Sequence, residues 1–327
     1  MRAVCIALIA LVGVAAARIS IPLMKMNSTI TNMYYNSSEE LGHIAPLNYT
    51  QMSQLFNFHR HNSPMSHRRV VQLCSEDRPL FDNSRSSSYR PYGIWVSAPY
   101  IGGGSILGTA ARETIHVAGI KVVDQLFVEA TVIDPKIYNG VKFDGAIGLS
   151  IESRFLSEHW SIFDHMFWNR VLPEPVFAFY FHPTVNGSDG EFVLGGIEKS
   201  HYDGDLTYAQ SATDEWIVRF QGVKIGQRWY QSDNLYAKPV SALPFIYGPQ
   251  KHIDLIHKTL NASRTSYGEV NSTCYTGFVV DTVHQLPGGS TWLLGQNFLR
   301  RVYTIFETGI FLWDKRLAFA YARESLY

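Results

Sequence analysis

Short apolar runs separated by glycine, asparagine and aspartate fill much of the chain between Phe81 and Gln210. Runs of this length are typical of β-strands, because helices in globular proteins need longer stretches with a period of about 3.6 residues. Further on, residues 216–221 place Trp216, Val218 and Phe220 at every second position, which predicts a half-buried strand. The other segments predicted as strands are 119–123, 126–132, 176–181 and 192–194. The pattern predicts a mostly β protein with few helices.

Helical spacing occurs in two places. Residues 155–170 form the best candidate helix in the first half of the chain. In the second half, Ile253, Ile256 and Leu260 recur at intervals of three and four residues behind Pro249. A proline at the start of such a pattern is compatible with the first turn of a helix, so this segment is also predicted to be helical.

The N-terminal 17 residues have the pattern of a secretory signal peptide. Arg2 precedes an apolar run over 4–16, and the small residues Ala15 and Ala17 stand where a signal peptidase cleaves. A membrane anchor would need roughly 20 apolar residues, which this run does not supply. Six Asn-x-Ser/Thr sites agree with passage through the secretory pathway and are candidate N-glycosylation sites: Asn27, Asn36, Asn48, Asn186, Asn261 and Asn271.

Charge and composition exclude several classes of partner. Lys+Arg and Asp+Glu balance at 28 each, so no basic field points to nucleic acid or to an anionic membrane surface. His59, His61 and His67 lie among arginines with no carboxylate or cysteine beside them, which favours an exposed basic loop over a metal site. We therefore expect no metal or other cofactor, and the sequence does not indicate an oligomeric state.

Five motifs, in order along the chain, resemble the pepsin-like aspartic proteases. They are Phe-x₄-Ser-Ser-x-Tyr-x₃-Gly at 81–93, Phe-Asp-Gly-Ala-Ile-Gly-Leu at 143–149, Glu-Phe-Val-Leu-Gly-Gly at 191–196, Ala-Lys-Pro-Val-Ser-Ala-Leu-Pro-Phe-Ile-Tyr-Gly-Pro at 237–249, and Trp-Leu-Leu-Gly with its continuation at 292–306. The resemblance implies a bilobal, mostly β acid-protease fold. It divides the chain into a signal peptide (1–17), a propeptide-like segment (18–46), an N-terminal lobe (47–190) and a C-terminal lobe (191–327), both lobes incomplete.

The family motif at 237–249 lacks its catalytic aspartate. Where the family has Asp-Thr-Gly, this chain has Val240, Ser241 and Ala242. No Asp-Thr-Gly or Asp-Ser-Gly occurs anywhere in the sequence, and the family spacing places the first aspartate position near His61. Because the family mechanism needs two carboxylates that share one proton, the resemblance implies that no catalytic residue is present.

Two further sites are candidates for a role in such a cleft. Asp281 precedes a threonine as in an active-site turn, but Val283 stands where glycine is needed, so a solvated loop aspartate is expected. Tyr100, with Gly102 and Gly103 after it, fits the flap hairpin that closes over peptide in the family; a simple hairpin tip is an equal alternative.

Three functions remain open from the sequence. The first is a secreted, inactive family member that binds peptides or a protein partner in its cleft. The second is an active endopeptidase, or a splice or gene-reading variant of one. The third is a truncated product that has no function because its fold is incomplete.

Overall fold

The computed structural model describes residues 19–23, 81–99, 105–134, 145–149, 161–182, 190–213, 215–225, 228–262, 276–281, 290–309 and 314–323. Most of these residues lie in β-strands, which confirms the predicted fold class. The strands form three sheets of six, five and three strands.

The six-stranded sheet is antiparallel throughout. In spatial order its strands are β1 (Ile19–Leu23), β6 (Gly190–Leu194), β5 (Val176–Tyr180), β13 (Val302–Thr308), β14 (Lys315–Ala322) and β7 (Tyr202–Gln210). Strand β1 falls inside the segment predicted to be propeptide-like, and it occupies one edge of the sheet beside β6.

The five-stranded sheet is mixed. Its strands are, in spatial order, β11 (Phe278–Val280), β10 (Ile246–Gly248), β12 (Ser290–Leu294), β9 (Arg228–Pro239) and β8 (Val218–Ile225). Strand β12 runs parallel to β9 and antiparallel to β10, so it is inserted between two segments that precede it in the chain. The three-stranded sheet is an antiparallel meander of β2 (Arg90–Pro99), β3 (Ser105–Val117) and β4 (Ile120–Ile133).

The described helices are short: α1 (Ile162–Trp168), α2 (Gln250–Thr259) and α3 (Gln296–Leu299). The first lies within the segment predicted as 155–170, and its first turn is capped by Ser161, whose side chain accepts from the Asp164 N–H. The second confirms the predicted helix behind Pro249. Its Ile253 and Ile256 are buried as predicted, whereas Leu260 lies beyond its end and is 46% exposed.

The main core lies between α1 and one face of the six-stranded sheet. Phe163 of α1 packs edge-on against Phe177, at a centroid distance of 4.7 Å, and Phe177 stacks on Phe306 at 4.6 Å. The opposite face of the sheet buries a second cluster that includes Tyr180 and Tyr303. Strand β5 is covered on both faces, which explains why its sequence is apolar without alternation.

The predicted half-buried strand at 216–221 differs from the structure at its start. Trp216, Ile217 and Val218 are all buried, and strand β8 begins only at Val218. The indole N–H of Trp216 donates to the carbonyl of Leu149 at 2.9 Å, so this part of the chain is enclosed by the loop of a family motif. The predicted alternation is wrong at Ile217, which is 3% exposed although its position was expected to face outward.

Candidate functional site

The candidate site is the turn that follows β9. The N–H of Val240 donates to the carbonyl of Leu294 at 2.9 Å, and the N–H of Leu243 donates back to the carbonyl of Val240 at 3.2 Å. The second bond closes a four-residue turn from Val240 to Leu243, while the first ties its beginning to the end of β12. The position at which the family motif has its catalytic aspartate therefore lies on a hydrogen-bonded turn.

Helix α3 fixes the other side of this turn. The N–H of Gly295 donates to the carbonyl of Phe245 at 3.0 Å, and the N–H of Gln296 donates to the carbonyl of Leu243 at 2.7 Å. The side-chain amide of Gln296 donates to the carbonyl of Ser241 at 3.1 Å. Three residues of the turn region are thus held by main-chain and amide groups, none of which requires an aspartate side chain.

Two glycines of the motifs have a steric reason in this structure. A Cβ at Gly295 would lie 2.1 Å from the carbonyl oxygen of Phe245 and 2.4 Å from that of Leu243. A Cβ at Gly248 would lie 2.8 Å from the ring of Trp292. All three distances are far below van der Waals contact, so Gly295 can lie against the turn region, and Gly248 against Trp292, only because neither residue carries a side chain.

The side chains of the turn offer no acid–base chemistry. Val240 and Ser241 are half-buried, Ala242 is exposed and Leu243 is buried. General acid–base catalysis needs a group that can gain or lose a proton near the working pH, and neither an alkyl group nor an ordinary serine hydroxyl can do so. A turn with valine at this position cannot activate a water as the paired carboxylates of an acid protease do.

The ion pair next to the turn has a structural role. Lys238, two residues before Val240, contacts the carboxylate of Glu215, and the two side chains are 30% and 19% exposed. The pair connects β9 to the segment in front of β8. The carboxylate of Glu215 is therefore engaged in holding these two segments together.

The expectation for Asp281 is wrong, because this residue is buried rather than solvated, at 7% exposure. Its N–H donates to the carbonyl of Gly248 at 2.8 Å, directly after the parallel pairing of β10 with β11. The Val240 turn lies beside Leu294, which pairs with Ile246 at the opposite end of β10. The main chain of Asp281 is thus tied to the end of β10 at Gly248, and the Val240 turn is tied to β12 at Leu294.

Several predicted site residues fall outside the described residues. They are His61, the flap candidates Tyr100, Gly102 and Gly103, and the glycosylation candidates Asn27, Asn36, Asn48, Asn186 and Asn271. The remaining glycosylation candidate, Asn261, is exposed immediately after α2 and has a positive φ of 53°. Within the described residues, no group of three or more His, Cys, Asp or Glu side chains is arranged to hold a metal ion. No described helix is long and apolar enough to cross a membrane.

Sequence patterns missed the side chains that support the site. Neither the amide of Gln296 beneath the turn nor the packing of His252 against Trp292 could be read from local spacing, because both contacts join segments more than 35 residues apart. The signal that pointed to this region was the motif at 292–306, which contains Trp292, Leu294 and Gly295.

Comparison with known proteins agrees with the fold class. A family described as eukaryotic aspartyl protease matches residues 64–276, which is more than half of the chain. Renin-2 from Mus musculus is 28% identical over 282 residues, covering 75% of this chain and 69% of its own length. Cathepsin E from Cavia porcellus is 26% identical over 273 residues, covering 72% of this chain and 69% of its own length.

A fungal protein is also similar to this chain. Vacuolar protease A from Aspergillus fumigatus is 30% identical over 220 residues, covering 67% of this chain and 54% of its own length. The extent of the family match, together with the mostly β fold, defines a protein of the acid-protease class. The chain belongs to the eukaryotic aspartyl protease family, whose pepsin-like members its motifs resemble.

Proposed function

We propose that this chain is a pepsin-like aspartic endopeptidase homologue without peptidase activity, which binds a peptide or protein partner at the cleft beside the Val240 turn. The observation that carries the proposal is Val240 itself, which stands at the catalytic aspartate position of the family on a turn held by Leu294. The carboxylate that the family uses is absent at this position, whereas the turn is still held by main-chain hydrogen bonds.

The retained support favours a binding role over an incomplete, functionless product. Gln296 and the main chain of the turn are hydrogen-bonded, Leu243 is 1% exposed, and Gly295 permits close packing. A product that cannot complete its fold gains nothing from such a network. A folded turn with an exposed Ala242 in the middle provides a surface that a peptide can contact.

Peptide hydrolysis tests the inactive state against the active alternative. The secreted full-length chain is assayed with fluorogenic peptides at acidic pH, with and without a pepstatin-type inhibitor, beside an active aspartic protease as positive control. We expect hydrolysis at background. Pepstatin-sensitive turnover would establish the alternative, an active endopeptidase whose carboxylates lie outside the motif positions.

Binding is tested at Ala242, because a large side chain there obstructs the surface of the turn without entering the core. The variant Ala242→Arg is compared with Ala262→Arg, which places the same charge at an exposed residue after α2. In a peptide-library selection, we expect Ala242→Arg to lose the peptides retained by the wild type and Ala262→Arg to keep them. Equal retention by both variants would place binding elsewhere.

We further propose that the protein is secreted or delivered to the endolysosomal system and is N-glycosylated on the way. The signal-like N-terminus and the six sequons support this route. The name of the fungal relative, a vacuolar protease, supports the endolysosomal branch. Exposure of Asn261 agrees with modification, since an oligosaccharide can be attached only to an accessible asparagine.

A further inference from the structure

A histidine of α2 lies against the indole of β12. The rings of His252 and Trp292 are nearly parallel, with an interplanar angle of 14° and centroids 6.0 Å apart. Together with Val223, Leu235 and Ile256 they line a narrow apolar crevice between the helix and the five-stranded sheet. Trp292 is 2% exposed and belongs to the core beneath α2, and His252 packs half-buried against it.

This stack contains two polar atoms without hydrogen-bond partners among the described residues. They are Nδ1 of His252 and Nε1 of Trp292, both enclosed. The crevice between the described side chains has no room for a water molecule that could bridge them. The other ring nitrogen of His252, Nε2, is not among these enclosed atoms without a partner.

The arrangement selects the neutral imidazole. In neutral histidine one ring nitrogen carries a proton and the other accepts, and the proton can reside on Nε2. Protonation adds a second N–H at Nδ1, where neither an acceptor among the described residues nor a water is available. Burial of a cation without a partner is costly, so a protonated His252 is expected to leave this position.

The surrounding charges act in the same direction. Burial lowers the pKa of His252, and the positive charge of Lys251 lowers it further. His252 also lies in the first turn of α2, where the positive end of the helix dipole disfavours a cation. The described residues of the elements around it carry further ionisable groups: Asp254, His257 and Lys258 on α2, Arg219 and Lys224 on β8, Lys238 on β9, and Asp281 after β11, while β12 has none. Among the described residues, Lys251 is the charged group that shifts the pKa of His252.

We propose that the His252–Trp292 stack is an acid-sensitive contact, and that protonation of His252 loosens helix α2 from the sheet that carries the Val240 turn. The connection runs along β12. Trp292 supports α2, and two residues later Leu294 accepts the hydrogen bond from Val240. A change in the packing of Trp292 therefore acts on the strand that holds the turn. The inference does not depend on what the cleft binds.

The sign of the effect follows from linkage. A histidine whose pKa is lowered by folding binds its proton more readily in the open state than in the closed one. Its contribution to stability is complete above the ordinary histidine pKa of about 6.5, and it decreases as the pH falls below that value. The loss is complete once the pH passes below the lowered pKa of the folded state. Acidification therefore opens the contact.

Hydrogen exchange on the wild-type full-length chain tests the inference directly. Exchange of the peptide covering 250–259 is measured at about pH 7.5 and about pH 5, on either side of the ordinary histidine pKa, with correction for the intrinsic rate. We expect the equilibrium constant for opening of α2 to be larger at the lower pH. If the open state binds the proton tenfold more tightly than the closed state, opening should increase by about tenfold. The peptide covering 302–308 serves as an internal reference and should not change. Equal protection of α2 at both pH values would overturn the proposal.

A variant comparison assigns the effect to one side chain. His252→Phe keeps an aromatic ring on Trp292 but cannot be protonated, so α2 should exchange at the same corrected rate at both pH values. His116→Gln, which removes an exposed histidine on β3, should retain the wild-type response. If His252→Phe keeps the full pH response, another group is responsible and the inference is wrong. If it does not fold, the wild-type measurement still decides.

Discussion

The N–H of Val240 and the carbonyl of Leu294 are joined by a hydrogen bond of 2.9 Å, although the family motif has an aspartate at position 240. The bond uses main-chain atoms only, so the turn keeps its place beside β12 whatever side chain it carries. Loss of a catalytic side chain and loss of the fold are therefore separable in this protein, and each can be tested alone.

Restoring the missing motif should not restore activity. We expect the triple variant Val240→Asp, Ser241→Thr, Ala242→Gly to hydrolyse fluorogenic peptides at background rates. The sequence supplies no second Asp-Thr/Ser-Gly turn, so no proton can be shared and no water activated. Partial burial should also raise the pKa of a lone aspartate at this half-buried position.

The control for this variant is its melting temperature, which should remain close to that of the wild type and so exclude misfolding as the cause. Pepstatin-sensitive cleavage by the triple variant would show that a partner carboxylate exists. The prediction that the first aspartate position, near His61, supplies no carboxylate would then be wrong.

Adding one methyl group at Gly295 should destabilise the protein. In Gly295→Ala, the new Cβ meets two carbonyl oxygens of the turn region within 2.4 Å, and overpacking of this kind costs about 1–3 kcal/mol or more. Denaturant unfolding measures the difference. Gly145→Ala is the matched control, because a Cβ there meets no atom of the described residues within 4 Å; equal midpoints for the two variants would contradict the described packing of Gly295.

The core between α1 and the six-stranded sheet should dominate stability. Phe163 is 1% exposed and packs on Phe177, so Phe163→Ala should lower the free energy of unfolding by about 3–5 kcal/mol. Leu260→Ala, at a side chain that is 46% exposed, should change it by less than about 0.5 kcal/mol. A single cooperative transition in these experiments would also argue against an incompletely folded product, and its absence would favour one.

Glycosylation at Asn261 is open to a simple mass measurement. The chain expressed in a eukaryotic secretory system should lose apparent mass on treatment with an N-glycosidase, because it carries six sequons. Asn261→Gln should migrate faster than the untreated wild type by one glycan, whereas Asn234→Gln, a substitution at an exposed asparagine outside any sequon, should not. A wild-type band that the enzyme does not shift would exclude this modification.

Local pattern predicted the strands and the helix behind Pro249 because both depend on neighbouring residues. It failed where distant segments meet. Burial of Asp281 follows from the parallel pairing of β10 with β11, and burial of Ile217 is a matter of tertiary packing. The environment of His252 depends on an indole 40 residues further along the chain.

Insertion of β12 between β10 and β9 also has a consequence for biosynthesis. Residues 228–239 and 246–248 leave the ribosome first, but the strand that separates them, 290–294, emerges much later. Until then, the facing edges of β9 and β10 have no partner from β12, and unpaired strand edges promote association between chains. Translation that stops before Ser290 would leave both edges permanently open, so nascent chains of this protein should depend on chaperones during that interval.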